Sequence, residues 1–444
     1  MRLSEQTSYG AVPTTCTGAV APAAPLPRAR LVLWTLTFVY VINFLDRSLL
    51  GILAKPIQDS LHVTDGQLGL IGGLYFAVFY CFIAIPVGWL ADRTSRVGVL
   101  SIACALWSGA TSLCGFAANY TQLVIARMLV GVGEAGGVPP SYALITDYYP
   151  PGRRGLAFGT YNLGPPIGVA LGIAFGATIA AAFDWRAAFI AMGVIGIVTA
   201  IAVRIIVREP PRGTFDPPSA AGHGKAGFWE TMLSFFSNPT LVLAAFGSGA
   251  TQFITYGLGN FTTLFLMREK GMTLQEVAIW YALVAGFGMS AGMLISGRAI
   301  DRFVSRSRTY YALIPAASLM LAIPLYVGFV WAPGWQLSLV FLTGVMALNY
   351  FYLSSSIALV QEEVRPNQRV MAGALLLLVM NFIGLGLGPT YVGAASDYFR
   401  SAGHALPLQT SLYTLTPFYV IAIILFLWLA RRLGAEERIA GAEA

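Results

Sequence analysis

A bilayer core of ~30 Å takes ~20 apolar residues of helix to cross. That window, moved along the 444 residues, stops twelve times, near 31–54, 66–90, 98–117, 121–145, 156–181, 187–206, 240–267, 274–298, 309–331, 336–360, 370–396 and 411–430. Nothing else in the chain constrains its fold as much. In hydrocarbon every backbone N–H and C=O must find its partner within the chain, and uninterrupted runs of this length do so as helices. The expectation is an all-α polytopic membrane protein. Composition agrees, since 57% of residues are apolar and 11% charged, with a mean hydropathy of +0.70. A soluble core of this length could not hide so much apolar surface.

Between the sixth and seventh spans lies the one long loop, 207–239, rich in Pro, Gly and Ser around Pro210-Pro211-Arg212-Gly213 and Pro217-Pro218-Ser219. Such a stretch buries too little apolar area for a packed domain and reads as a tether. It separates a bundle over 31–206 from a second over 240–432, with tails at 1–30 and 433–444. The first tail lacks the basic start, apolar run and cleavage site of a signal peptide and reads as disordered. Of the 27 Lys and Arg, only Lys55, Arg186, Arg268, Lys270 and Arg400 fall in one set of alternate loops. All others except Arg47 and Arg127 fall in the opposite set or the tails. Positive charge stays on the cytoplasmic side, so both termini are expected there. Short loops without long targeting segments favour a bacterial inner membrane.

The excess of positive charge, +7, does not mark a nucleic-acid partner, because the basic residues are scattered through short loops with no aromatic-basic platform. Cys16, Cys81, Cys104 and Cys114 have no metal-ligand spacing, and three of them lie in apolar runs. His62, His223 and His404 fall in loops. Neither a metal nor any other cofactor is expected, and an intramembrane proton would ride on a carboxylate. Gly131-x-Gly133-x-x-Gly136 fits the dinucleotide fingerprint formally, with Asp147 near the acidic spacing. That chemistry requires a preceding strand and a free helix N-terminus. Glycines in mid-span instead let neighbouring helices approach closely.

The two halves echo one another. Gly88-x-x-x-Asp92-Arg93 follows the second span and Gly297-x-x-x-Asp301-Arg302 the eighth, while Gly164-Pro165 in the fifth recurs as Gly388-Pro389 in the eleventh. Two matched six-helix halves holding a substrate near the midplane is a common transporter plan. The charged repeats read either as solvated turns or as clasps that join and release helix ends. The Gly-Pro breaks, including Pro166, Gly168 and Gly384-x-Gly386, read equally as kinks or hinges.

Asp46, Arg47, Arg127 and Glu134 stand inside spans, where a charge costs ~2.5–3.5 kcal/mol at the bilayer centre and so lines a wet path or finds a partner. Tyr40, Asn43, Asp46 and Arg47 share about a third of the first helix, and Arg127 and Glu134 one face of the fourth. At ~1.5 Å per residue Asp46 and Arg127 reach similar depth. Asp46 is therefore expected to pair with Arg127 or Arg47 when ionised and to loosen that pair when protonated. The alternative is a permanent structural pair. Glu134, deeper, is open to three readings: second proton site, substrate contact or structural hydrogen bond. The second half offers uncharged stripes, Gln252, Thr255, Gly259 and Thr263 on the seventh helix and Asn349, Tyr352 and Ser356 on the tenth.

These residues resemble the major facilitator superfamily, and within it the spinster-like branch. Gly88-Trp89-Leu90-Ala91-Asp92-Arg93-Thr94-Ser95-Arg96 is similar to the superfamily motif after helix 2, with Ser95 and Val97 where Gly and a basic residue are usual. Arg127-x-x-x-Gly131-x-Gly133-Glu134-Ala135 resembles its helix 4 motif. The branch rests on Tyr40-x-x-Asn43-x-x-Asp46-Arg47, Leu106-Trp107-Ser108, Gly133-Glu134-Ala135-Gly136, Asp184-Trp185-Arg186-x-x-Phe189 and Glu209-Pro210-Pro211-Arg212. The resemblance covers roughly 30–432 and is most specific in the first half. It implies the major facilitator fold of two six-helix bundles. Alternating access would take place around a cavity lined by helices 1, 4, 7 and 10, with Asp92 and Arg93 stabilising one access state.

Together these readings predict a monomeric, proton-coupled secondary transporter. Asp46 and Glu134 would carry protons. Arg47, Arg127, Glu134, Tyr40, Asn43, Gln252, Thr255, Asn349, Tyr352 and Ser356 would meet the substrate, and Asp92, Arg93, Asp301 and Arg302 would gate. The branch implies a lipid cargo such as a lysophospholipid or sphingosine phosphate. A small organic acid or drug is the alternative, and a membrane enzyme acting on lipid headgroups the remote one. No activated Ser-His pair or nucleotide loop supports the last.

Overall fold

The computed structural model describes residues 24–212, 214–215, 228–364 and 368–443. Cys16, His223 and most of the expected first tail lie outside them. Among the described residues, twelve helices are long and apolar enough to cross a membrane. In the first half these are α1 (Ala29–Ile52), α2 (Asp65–Ala91), α3 (Arg96–Gly115), α4 (Tyr120–Tyr148), α5 (Arg153–Ala182) and α6 (Trp185–Ile206). In the second they are α7 (Pro239–Arg268), α8 (Leu274–Val304), α9 (Tyr310–Trp331), α10 (Trp335–Glu363), α11 (Met371–Ser401) and α12 (Pro407–Ile439). The described residues contain no strand.

Small residues set the packing inside each half. A methyl group added to Gly133 would lie 2.5 Å from the backbone nitrogen of Trp107, and one on Gly131 2.7 Å from the carbonyl oxygen of Phe76. The glycine run of α4 is thus the surface on which α2 and α3 rest. Both expected Gly-Pro breaks coincide with irregular helix: α5 restarts at Gly164, and α11 widens into π-helical turns over Phe382–Leu387.

Two segments depart from their expected state. Phe228–Ser237, within the Pro/Gly/Ser-rich connection, is helical, because Thr231 and Phe235 find protein to pack on, 2% and 1% exposed. The last helix runs on to Glu443. Its extension is tied down where Glu437 accepts from Ser307 Oγ at 2.6 Å and Arg308 N at 2.5 Å, and Glu436 from Thr240 Oγ1 at 3.1 Å.

Among the described residues, the hydrogen bonds that cross between the halves gather at one end of the bundle, where α2 meets α7 and α11. This clasped end carries the short connections after α1, α3, α5, α7, α9 and α11. The opposite, open end carries the Asp92-Arg93 and Asp301-Arg302 turns and the long connection.

Candidate functional site

Three helices of the first half build the charged centre. Helix α1 contributes two successive residues that point different ways, since neighbours on a helix lie 100° apart. Asp46 turns into the half, 1% exposed, where Thr111 of α3 donates to its Oδ2 and Arg127 of α4 places Nη1 3.7 Å from its Oδ1. That last distance makes an ion pair but not a hydrogen bond. Asp46 Oδ1 and Arg127 Nε and Nη1 have no hydrogen-bond partner. Arg47 turns outward and pairs through Nε with Glu134 Oε2. The other oxygen, Glu134 Oε1, is buried and unpartnered.

Aromatic faces replace water around both guanidinium groups. Arg47 lies 4.6 Å from the ring centre of Tyr80 and 5.1 Å from that of Phe44, and Phe76 sits between the cations, 5.4 Å from Arg47 and 5.3 Å from Arg127. Such contacts hold a planar cation in a dry place without neutralising it.

Arg47 is the member of the four that reaches the central cavity. About 830 Å³ of empty space, partly open to solvent, lies between the halves, against α1 and α5 on one side and α7, α8 and α10 on the other. Thr255, Gly259, Thr263 and Asn349 line it together with Arg47. Apolar walls come from Phe44, Ile52, Val169, Ile173, Met289 and Met346. Asp46, Arg127 and Glu134 stand behind this wall.

The remaining candidates are dispersed. Tyr40 stacks on Tyr161 at 4.5 Å, and Asn43 is buried with Oδ1 unpartnered. Gln252 is buried against Gly384 of α11, Tyr352 is 2% exposed, and Ser356 accepts from Ser248 at 2.6 Å. Asn349, though on the cavity wall, also spends its amide on Tyr419 at 3.0 Å. At the open end Arg93 rests over the Trp89 ring at 4.1 Å, Asp301 and Arg302 are exposed, and the Asp92 side chain lies outside the described set.

A second charged cluster, absent from the sequence reading, joins the halves at the clasped end. Asp65, at the start of α2, is fully buried. Arg268 at the end of α7 donates to both its oxygens, 2.9 and 3.0 Å from Nη2. Arg400 at the end of α11 adds a bond of 2.5 Å, Ser396 one of 2.6 Å and Gln58 one of 2.6 Å. In return Asp397 accepts from the backbone N–H groups of Asp65 and Gly66 at 3.2 and 2.8 Å, an anion at a helix N-terminus. Two turns deeper, Leu74 N donates to Thr390 Oγ1 at 3.2 Å. A partial signal did exist: Arg268 and Arg400 are two of the five cations on the cation-poor side, and Arg400 has Asp397 one turn before it. Among the described residues no cluster of three or more His, Cys, Asp or Glu is arranged to hold a metal ion.

Twelve helices in two halves around a cavity is a shared architecture, and the sequence settles which. The model of the Major Facilitator Superfamily matches residues 36–389. The chain belongs to the major facilitator superfamily. An MFS-type efflux pump of Mycolicibacterium smegmatis is 30% identical to this major facilitator protein, over 91% of its chain and 92% of the pump. Protein spinster homolog 1 of Xenopus tropicalis is 24% identical, over 82% and 72% of the two chains. The solved structure of a bacterial homolog of the human lysosomal transporter Spinster, inward-facing and unoccupied, superposes with a TM-score of 0.84 at 30% identity, covering 92% of this chain and 98% of that one. This major facilitator protein is a membrane transporter of Spinster type.

Proposed function

We propose that this transporter is a proton-coupled secondary active carrier working by alternating access, as a monomer whose open end and termini face the cytoplasm of a bacterial inner membrane. Its cargo on this reading is an amphipathic anionic lipid of the lysophospholipid or sphingosine-phosphate kind. The observation that carries the reading is the pair of Asp46 and Arg127, 3.7 Å apart and almost without solvent exposure, with donor and acceptor atoms left unpartnered on both sides. A buried strut is expected to satisfy every polar atom. A carboxylate that is to exchange a proton as its cation shifts must keep acceptor capacity in reserve. Proton loss from Asp46 tightens the pair and proton uptake loosens it, so helices α1 and α4 move with the proton.

Cavity chemistry supports the cargo. A guanidinium matches phosphate or carboxylate in geometry, and Arg47 is the charged group on a wall otherwise made of hydroxyls, amides and apolar side chains. Anion and Glu134 would then compete for Arg47, which ties cargo binding to the second carboxylate. The cavity lining, polar around Arg47 and apolar along Phe44, Ile52, Val169 and Ile173, suits a polar head with one acyl or alkyl chain. On this reading Asp92, Arg93, Asp301 and Arg302 would gate the open end as the halves close there. A second reading is a small organic acid or drug as cargo, and a hexuronate transporter of Bacillus subtilis, 25% identical over 86% of this chain, favours the acid. Thermal stabilisation of the purified protein separates the two: stabilisation by lysolipids but not by small acids supports the first.

The deciding experiment is uptake into proteoliposomes. Asp46→Asn should lose proton-driven accumulation while keeping downhill exchange, and full gradient-driven accumulation by that variant would overturn the proposal.

A further inference from the structure

The polar side chains of the central cavity offer lone pairs more than protons. Ser48 Oγ on α1 gives its proton to Leu45 O at 2.7 Å, and on α7 Thr255 Oγ1 gives its own to Thr251 O at 2.9 Å and Asn260 an amide proton to Tyr256 O at 3.0 Å. A hydroxyl that has donated can then only accept. Thr263, four residues beyond Gly259 and eight beyond Thr255, continues the same face of α7 over ~12 Å of helix rise, and all three line the cavity. Its Oγ1 is buried without a partner. Charge on this lining is one-sided. Among the described residues Arg47 is its charged side chain, with no Asp or Glu beside it. Behind the wall each carboxylate already faces a guanidinium, Glu134 that of Arg47 and Asp46 that of Arg127. An ammonium group brought into the cavity would therefore meet no free counter-ion, and a buried charge without one is strongly unfavourable. A quaternary ammonium would also lack N–H donors for the waiting lone pairs. A hydroxyl group supplies a donor without the charge.

We infer, on the reading of Arg47 as the cargo's anchor, that the headgroup carried is an anion bearing several hydroxyl groups and no amine, its acid on Arg47 and its hydroxyls along the Thr255–Thr263 face of α7. The register of the two helices fits. A methyl group on Gly51, one turn beyond Arg47 on α1, would lie 3.1 Å from the carbonyl oxygen of Asn260, so the α7 face runs from the level of Arg47 toward the clasped end. Tyr256, Tyr281 and Tyr350 share the lining, and a phenol gives or takes a hydrogen bond as a hydroxylated cargo requires. Thr263 is the residue that sets specificity, because a cargo hydroxyl donating to its Oγ1 satisfies an atom the protein itself leaves unpaired.

Equilibrium binding to the full chain in nanodiscs tests the headgroup, using lysolipids of one acyl chain that differ only beyond the phosphate. Lysophosphatidylglycerol should bind ~10-fold or more tightly than lysophosphatidylethanolamine and lysophosphatidylcholine. Thr263→Val, nearly the same in shape, should weaken lysophosphatidylglycerol ~5- to 10-fold, as the loss of one hydrogen bond would. It should leave the two amine-bearing lipids and the melting midpoint unchanged, since the lost hydroxyl holds nothing within the protein. Equal binding of either amine-bearing lipid, or a Thr263→Val variant that weakens all three alike, overturns the inference and leaves the lipid reading standing. Glycerol 3-phosphate and glucuronate carry the same chemistry without a tail. If they bind as tightly as lysophosphatidylglycerol while the amine-bearing lipids do not, the inference holds and the lipid reading falls. Binding of no probe at all overturns both.

Discussion

The two charged clusters are built on opposite terms. At the clasped end Asp65 receives donors from Arg268, Arg400, Ser396 and Gln58, three of them from the other half. At the charged centre Asp46, Arg127, Arg47 and Glu134 all belong to one half, and atoms on three of them lack a partner. Donors from the other half on both Asp65 oxygens make a latch, although Arg268 Nε is left without a partner, and breaking it leaves a carboxylate and two cations to be rehydrated. Partial satisfaction within one half makes a site whose charge state can change without moving an interface. One cluster is therefore suited to hold its end shut, and the other to sense the proton.

If that division is right, substitutions in the two places fail differently. Arg127→Met should have the largest effect, since it leaves Asp46 buried without its cation. A buried pair broken on one side costs ~3–5 kcal/mol, to be read as a fall in thermal midpoint, with coupled transport lost and the clasped end still shut. Asp65→Asn should do the reverse. It removes the charge that two partly exposed arginines share, costing the closed state ~2–3 kcal/mol, a ~30- to 160-fold shift in the balance between states. Double electron–electron resonance between labels flanking the clasped end should show longer distances, with the melting midpoint little changed. Equal melting losses and no distance change in both variants would erase the distinction.

Gly69→Ala sharpens the same contrast without touching charge. A methyl group there would lie 2.4 Å from the carbonyl oxygen of Pro389 in the other half, so the clasped state should lose ~1–3 kcal/mol by overpacking and the same labels should move apart. The smallest effect concerns Glu269, beside the clasp. It caps the start of α12 by accepting from Leu408 N and Gln409 N at 3.0 and 2.8 Å. Burial raises its carboxyl above the ordinary glutamate value, partly offset by those two bonds. A carboxyl raised in the folded state contributes stability that is complete below its unfolded value and lost as pH rises through the folded one. Melting curves should thus show a slight gain on acidification from neutral pH that Glu269→Gln abolishes.

Much of this was legible in the sequence, for identifiable reasons. Twelve apolar runs report a solvent, not a partner, so their number and order could be read directly. The match in depth between Asp46 and Arg127 followed from helix rise alone, and the two lie 3.7 Å apart. Which wall faces the cavity did not follow. A wheel places Asp46 and Arg47 on neighbouring faces, but only the packing of α3 and α4 decides that Arg47 reaches the cavity and Asp46 does not. The clasp was hidden because Asp65, Arg268 and Arg400 come from three separate span ends that meet only after both halves fold and dock. The short helix before α7 was hidden by the Pro- and Gly-rich residues that precede it, whose composition masks a ten-residue run.

Infrared difference spectroscopy of the reconstituted protein during a pH titration addresses the central claim most directly. A protonated carboxyl in a dry site gives its own carbonyl stretching band. The account predicts that such a band grows on acidification, that Asp46→Asn removes it and that Asp65→Asn leaves it in place. A band that survives Asp46→Asn unchanged, or one that only Asp65→Asn removes, would contradict the assignment of the exchangeable proton to the first helix.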